Sequence, residues 1–213
     1  MAATEMKAAG TPFYRFARFI LAVFSFVFYP CTILNQKDAD LDAPFILICN
    51  HQSMMDPVLL AVKLKQHEIH FIGKREITKF KPLKWVVEKL HMIAVSRHMS
   101  DLAAMRAAGA ALKAGHVLGI FPEGKRSYGP SMEIVESGVS MLAQRHRVPL
   151  LPVYIIGRPR PFRRVRMVVA PQIHYEDLLE EGIGKQAGER LNERIRQVYK
   201  ALDIKYNKKT VGA

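Results

Sequence analysis

An asparagine and a histidine close the apolar run in "FILICNHQSMMDP", and an aspartate stands five residues beyond the histidine. His51 and Asp56 are the residues here whose types could do chemistry together. An imidazole held by a carboxylate is a general base: the carboxylate selects the tautomer and stabilises the imidazolium once a proton has been taken. Five residues is not a helical ladder spacing, because positions i and i+5 point apart. A strand that turns into a helix can bring the two side chains together instead. Structural readings stand beside the chemical one. Asp56 before Pro57 suits a helix N-cap, Asn50 suits a turn held by backbone bonds, and single histidines often serve packing. Cys49 is a candidate thiol nucleophile, although a free cysteine inside "FILIC" is commonly a small core residue.

A second group lies in "GIFPEGKRS", residues 119–127. Pro122 and Gly124 shape a turn after a strand, with Phe121 leading into it. Glu123 sits between them, and Lys125 and Arg126 add cations. "MIAVSR" puts Arg97 at the end of a short strand, where a guanidinium could bind phosphate through charge-assisted bonds. The plainer readings are a solvated turn for Lys125 and Arg126, and for Glu123 a buried carboxylate accepting backbone N–H groups. His67 and His70, with Glu68 between, read as surface histidines, and no metal site is expected.

These residues need strands and helices to position them. Short apolar runs predict strands at 45–49, 68–73, 92–95, 117–121, 149–156 and 165–170. Helical patterns begin at Pro57 and cover 81–90, 100–114, 132–146 and 185–202, the second with Ser100 as cap and Gly115 as stop. The last carries Ala187, Leu191, Ile195, Val198 and Leu202 on one stripe. The alternation predicts an α/β fold with a mostly buried central mixed sheet flanked by helices. Sites in such sheets lie outside the strand ends, where both candidate groups fall.

Residues 1–35 read as a membrane-associating segment, and 36–213 as the enzymatic domain, joined by a polar hinge near 35–44. In "FYRFARFILAVFSFVFY", 13–29, the uncharged stretch from Phe19 to Tyr29 has 11 residues, short of the roughly 20 a span requires. The reading is a helix lying in a membrane interface, Phe side chains inward and Arg15 and Arg18 at the headgroups. A helix packed on the protein's own core and a cleaved signal are the alternatives. The chain carries 32 Lys and Arg against 19 Asp and Glu, a net charge of +13, and so favours anionic partners. Arg158, Arg160, Arg163, Arg164 and Arg166 crowd "GRPRPFRRVR" and suit an anionic bilayer or the acidic face of a partner protein. Nucleic-acid motifs and interleaved stacking aromatics are absent, so no nucleic-acid partner is expected. Two cysteines without CxxC spacing make neither a disulfide framework nor a zinc site.

Together these residues resemble the glycerolipid acyltransferase superfamily, specifically the bacterial 1-acyl-sn-glycerol-3-phosphate acyltransferases. Asn50, His51 and Asp56 match its NHxxxxD motif. Arg97 in "MIAVSR" matches the second motif, and Phe121, Pro122, Glu123, Gly124, Arg126 and Ser127 match the third. "VPLLPV", 148–153, matches the fourth. "GKREI", with Lys74, resembles the family's Lys-x-Glu segment. Lys125 stands where threonine is often found, and Glu136 where lysine is common. The resemblance implies that His51 and Asp56 are catalytic and that Arg97, Phe121, Pro122, Glu123, Gly124 and Arg126 bind substrate, supported by Asn50 and Lys74. It implies acyl transfer from coenzyme A or acyl carrier protein to the hydroxyl of lysophosphatidic acid, without a cofactor, at the cytoplasmic face of the cell membrane. Another lysophospholipid or hydroxyl-lipid acceptor is the alternative within the class. An inactive membrane-binding protein is the alternative outside it.

Overall fold

Continuous apolar runs bounded by turn residues must be covered on both faces, and here they form the middle of one sheet. The structure, a computed structural model, describes residues 11–74, 91–95, 102–127, 129 and 131–207. Seven strands are seen among these residues: β1 (Cys31–Leu34), β2 (Ile46–Cys49), β3 (Ile69–Lys74), β4 (Ile93–Val95), β5 (Val117–Ile120), β6 (Leu150–Ile156) and β7 (Val165–Val169). Their order is β1-β7-β6-β2-β5-β3-β4. Every neighbouring pair is parallel except β6 with β7, so the sheet is mixed, as expected. The expected helix at 81–90, Ser100 and Arg97 lie outside the described residues, and of Lys74 only the backbone is described.

β2 is central, between β5 and β6, and its residues alternate between two cores. Ile46 and Ile48 face one side with Leu118, Ile120, Leu150 and Tyr154. That side is closed by α3 (Leu102–Lys113), α4 (Ser137–His146), α5 (Glu176–Glu180) and α6 (Lys185–Tyr206). Leu47 and Cys49 face the other with Leu151, Val153 and Met167, against Leu59, Leu60 and Leu64 of α2 (Asp56–Lys63). Helix α6 buries Ala187, Leu191, Ile195 and Leu202 as the stripe requires, with Tyr199 on the same face and Val198 at its edge.

Two elements depart from the sequence reading. Cys31–Leu34, read as part of the N-terminal segment, is a strand paired with β7, Cys31 opposite Val165. The helix expected from Met132 starts only at Ser137. Met132 has a left-handed φ of 60° and donates its N–H to Glu123, while the Glu136 N–H goes to the Pro122 carbonyl. Those bonds hold residues 131–136 against the Pro122 turn and leave helix to begin after them.

α1 (Pro12–Phe28) is capped by the Thr11 hydroxyl, which accepts the Tyr14 N–H. It lies on α2 through one narrow face. Tyr14 is buried and its hydroxyl accepts the Ile69 N–H at 3.2 Å, and Arg18 donates to the Lys65 carbonyl. The rest of its apolar surface, including Phe16, Phe19, Ile20, Val23, Phe26 and Val27, is exposed. No described helix is long and apolar enough to cross a membrane.

Candidate active site

The parallel pairing puts the C-terminal ends of β2, β5 and β6 on one rim of the sheet. β2 stops at Cys49, and the chain leaves the sheet through Asn50. Its buried side chain replaces the missing backbone rungs: Oδ1 accepts the Ile155 N–H at 2.7 Å and Nδ2 donates to the Ile155 carbonyl at 3.0 Å. The turn-holding reading of Asn50 is therefore the one the structure shows.

The next residues form the site. His51 Nδ1 and Asp56 Oδ2 are 2.8 Å apart. The same oxygen accepts the Gln52 and Ser53 N–H groups, each at 2.7 Å. Asp56 is fully buried. It begins α2 yet bonds backward into the turn, so it closes the strand-to-helix connection and is not an N-cap of its own helix. With a carboxylate on Nδ1, that nitrogen carries the proton and Nε2 is left with a lone pair. The imidazole is partly exposed, which leaves it within reach of a substrate.

Phe121 follows β5 and stacks on His51, ring centroids 4.2 Å apart at 27°. Phe71 of β3 backs it at 6.0 Å. Gly119 makes room for this column: a Cβ there would stand 2.5 Å from the Phe71 ring. The loop after Phe121 returns to the histidine, since the Ser127 N–H donates to the His51 carbonyl at 2.8 Å. Gly124 takes the tight turn at φ +63°, with its N–H on the Phe121 carbonyl, a conformation that suits glycine. Pro122 is buried, whereas Lys125 and Arg126 are exposed.

Glu123 bonds into the turn itself. It is buried, with Oε1 on the Met132 N–H at 3.0 Å and Oε2 lacking a partner among the described residues. Burial pushes its carboxyl up to about 7, the Met132 bond opposing and Asp203 and Asp56 adding repulsion. It is the backbone-bonding turn carboxylate of the plainer reading. Cys49 is fully buried, and burial raises its thiol well above the usual range, followed by the Asp56 and Glu123 charges. It packs, and a thiolate nucleophile there has no support.

Several contributors were not expected. Ser131 accepts a 3.4 Å contact from Asn50 Nδ2, and both its N–H and hydroxyl donate to Asp203 of α6. Tyr154 also donates to Asp203. Tyr199, fully buried, donates to the carbonyls of Ile48 at 2.8 Å and Val153 at 3.1 Å. Tyr199 and Asp203 are one helical turn apart, and that i, i+4 pairing of polar groups beside the apolar stripe was the signal available for them.

A histidine–carboxylate pair at the strand ends of a helix-flanked mixed sheet is the arrangement of an enzyme that uses a general base. Residues 31–156, more than half of the chain, match the family model described as Acyltransferase. The chain belongs to that family, and the match encloses His51, Asp56 and the Phe121–Ser127 turn. A 1-acyl-sn-glycerol-3-phosphate acyltransferase of Bacillus subtilis strain 168 is 25% identical over 181 residues, covering 80% of this chain and 89% of that protein. One of the same name from Streptococcus pneumoniae R6 is 25% identical over 124 residues, covering 58% of this chain and 46% of that protein. The crystal structure of PlsC, the 1-acyl-sn-glycerophosphate acyltransferase of Thermotoga maritima, superposes with a TM-score of 0.66. It is 24% identical, with 88% of this chain and 78% of that one covered, a likeness of fold.

Proposed function

We propose that this acyltransferase moves an acyl group from a thioester, on coenzyme A or acyl carrier protein, to the free hydroxyl of 1-acylglycerol 3-phosphate. The observation that carries the reading is the 2.8 Å contact between His51 Nδ1 and buried Asp56, which presents Nε2 as a base. The names of the similar proteins supply the acceptor. His51 Nε2 takes the hydroxyl proton as the oxygen attacks the thioester carbon. Asp56 stabilises the imidazolium. Collapse of the tetrahedral intermediate breaks the C–S bond, and the imidazolium returns its proton to the leaving thiolate. Phe121 fixes the ring plane. Arg97 and Arg126 hold the acceptor's phosphate, Lys74 supports them, and the Pro122–Gly124 turn sets the wall against which it rests. No cofactor is needed for this sequence of steps.

The same reading places the enzyme on a membrane surface at its cytoplasmic face. α1 ends on the rim that carries His51, because β1 and β7 both begin there. Phe28 meets Phe162 of the arginine loop, ring centroids 5.3 Å apart. Phe26 and Phe162 are 82% and 71% exposed, and Arg158, Arg160, Arg163 and Arg164 are exposed around Phe162. Apolar insertion and charge thus share one patch beside the site, and each basic residue near an anionic surface contributes about 1 kcal/mol.

The test is thiol release with a panel of acceptors, products resolved by mass. Lysophosphatidic acid should exceed its unphosphorylated analogue by one to two decades in kcat/KM, as expected when a charge-assisted contact of about 1.5–3 kcal/mol is lost. Equal rates would refute the phosphate reading. Vesicle flotation should show binding to anionic bilayers that weakens in Phe26→Ser/Phe162→Ser. Undiminished flotation would refute the patch.

A further inference from the structure

At the opposite rim, where β3 and β5 begin, three imidazoles stack. His70 lies between His91, at 4.9 Å and 13°, and His116, at 4.4 Å and 19°. Glu68 is 5% exposed and His70 9%, so these are buried groups and not the surface histidine pair expected from sequence. His67 is buried too, bonded to the Ala39 carbonyl and edge-on to Phe45, and takes no part in the cluster.

Glu68 Oε1 stands 3.0 Å from His91 Nε2 and 3.7 Å from His70 Nε2. Its other oxygen accepts the Thr11 N–H at 3.0 Å. His70 Nε2 is buried without a hydrogen-bond partner among the described residues. Buried polar atoms are nearly always satisfied, and an orphan calls for an explanation.

We propose that Glu68, His70 and His91 bind one divalent transition-metal ion of the zinc class. All three ligand atoms lie within 4.8 Å of one another. Two ligands on one tetrahedral ion with bonds of about 2.1 Å stand about 3.4 Å apart. The two contacts of Glu68, at 3.0 and 3.7 Å, bracket that separation. Stacked rings do not aim at one point, so one must tilt. His91 is the ring able to do so: its side chain is 38% exposed, against 11% for His70. Two imidazoles and one carboxylate suit zinc and its neighbours and not calcium or magnesium, which take oxygen ligands. Solvent supplies the fourth position. The ion would join the start of β3 to the turn before β4, with Glu68 already bonded to the entry of α1. This site is remote from His51, and the proposal does not depend on the acceptor assigned above.

The test uses the full chain without an affinity tag, stripped with chelator and titrated with Zn²⁺ against a chromophoric competitor. Co²⁺ absorption reports the ligand set. One tightly bound Zn²⁺ per chain is expected, with a visible Co²⁺ band of low-coordinate type. His91→Asn should weaken Zn²⁺ binding more than 100-fold, beyond the 10- to 100-fold that loss of an outer partner costs. Glu68→Gln should do the same. His174→Asn, at an exposed histidine elsewhere, should leave affinity unchanged. Because His91 is partly exposed, its variant remains folded even if substitutions at His70 do not. Absence of stoichiometric Zn²⁺ binding by the parent chain, or binding by His91→Asn within threefold of the parent, overturns the proposal.

Discussion

Replacing Asp56 by asparagine separates its two jobs. The carboxylate is fully buried, and one oxygen takes His51 Nδ1 and the Gln52 and Ser53 N–H groups. Asparagine keeps the shape and an acceptor oxygen but loses the charge. Two charge-assisted backbone bonds then become neutral ones, a loss of about 1 kcal/mol each. For a domain of this size about 2 kcal/mol lowers Tm by about 4–8 °C. The effect on catalysis is larger. An imidazolium about 4 Å from a unit charge, at an effective dielectric near 20, is stabilised by about 4 kcal/mol. Each 1.36 kcal/mol is a decade in rate, so kcat should fall about 10³-fold. Thiol release under saturating donor and acceptor measures kcat, and circular dichroism at the assay temperature verifies the fold. Combining Asp56→Asn with His51→Ala should add little to the loss from His51→Ala alone, since the pair acts as a unit. A folded Asp56→Asn enzyme with kcat within tenfold of the parent would refute the reasoning and reduce Asp56 to a loop fastener.

Glu123→Gln addresses pH. Burial raises the folded carboxyl from its ordinary 4.5 to about 7, so its share of stability is complete below about pH 4.5 and is lost as pH rises through about 7. The loss is about 3 kcal/mol. Urea midpoints at pH 5 and pH 8 should therefore differ less in Glu123→Gln than in the parent, and equal differences would refute the assignment. Arg97→Ala should raise KM for a phosphorylated acceptor by one to two decades and leave KM for the thioester unchanged; an equal rise in both would move Arg97 away from the acceptor. Tyr199→Phe strips a donor from the Ile48 and Val153 carbonyls and should cost about 1–2 kcal/mol in urea unfolding, with a loss below about 0.3 kcal/mol counting against those bonds.

The central strands were legible because β2, β5 and β6 are buried on both faces, which writes itself into the chain as unbroken apolar runs. The His51–Asp56 pair was legible for a related reason: a short strand-to-helix turn encodes its geometry within a few residues. β1 was not. "CTIL" has neither a long run nor clean alternation, and its partner, Val165 opposite Cys31, lies far along the chain. The helix at 132–146 was overextended because periodicity cannot see Glu123 and Pro122 holding Met132 and Glu136 out of it. Glu123 itself could be read either way, and only burial decided. His70 was misjudged because nothing local announces that His91 and His116 stack on it. Asp203 offered only its i, i+4 spacing from Tyr199 as a signal, because its partners Ser131 and Tyr154 come from other elements.

The position of β2 in the strand order bears on how the protein is made. A ribosome releases the chain from its amino end, so residues 46–49 emerge well before the strands that flank them, 117–120 and 150–156. Through that interval β2 is an apolar segment with both hydrogen-bonding edges open, the type of segment that pairs with strangers. Only when β6 arrives does Asn50 find Ile155, and only with α6 does Tyr199 reach Ile48. The placement that shelters the histidine in the finished molecule therefore exposes the newborn one. Substitutions that slow the docking of β6 should register first as lost soluble yield during biosynthesis, in molecules whose mature stability is normal.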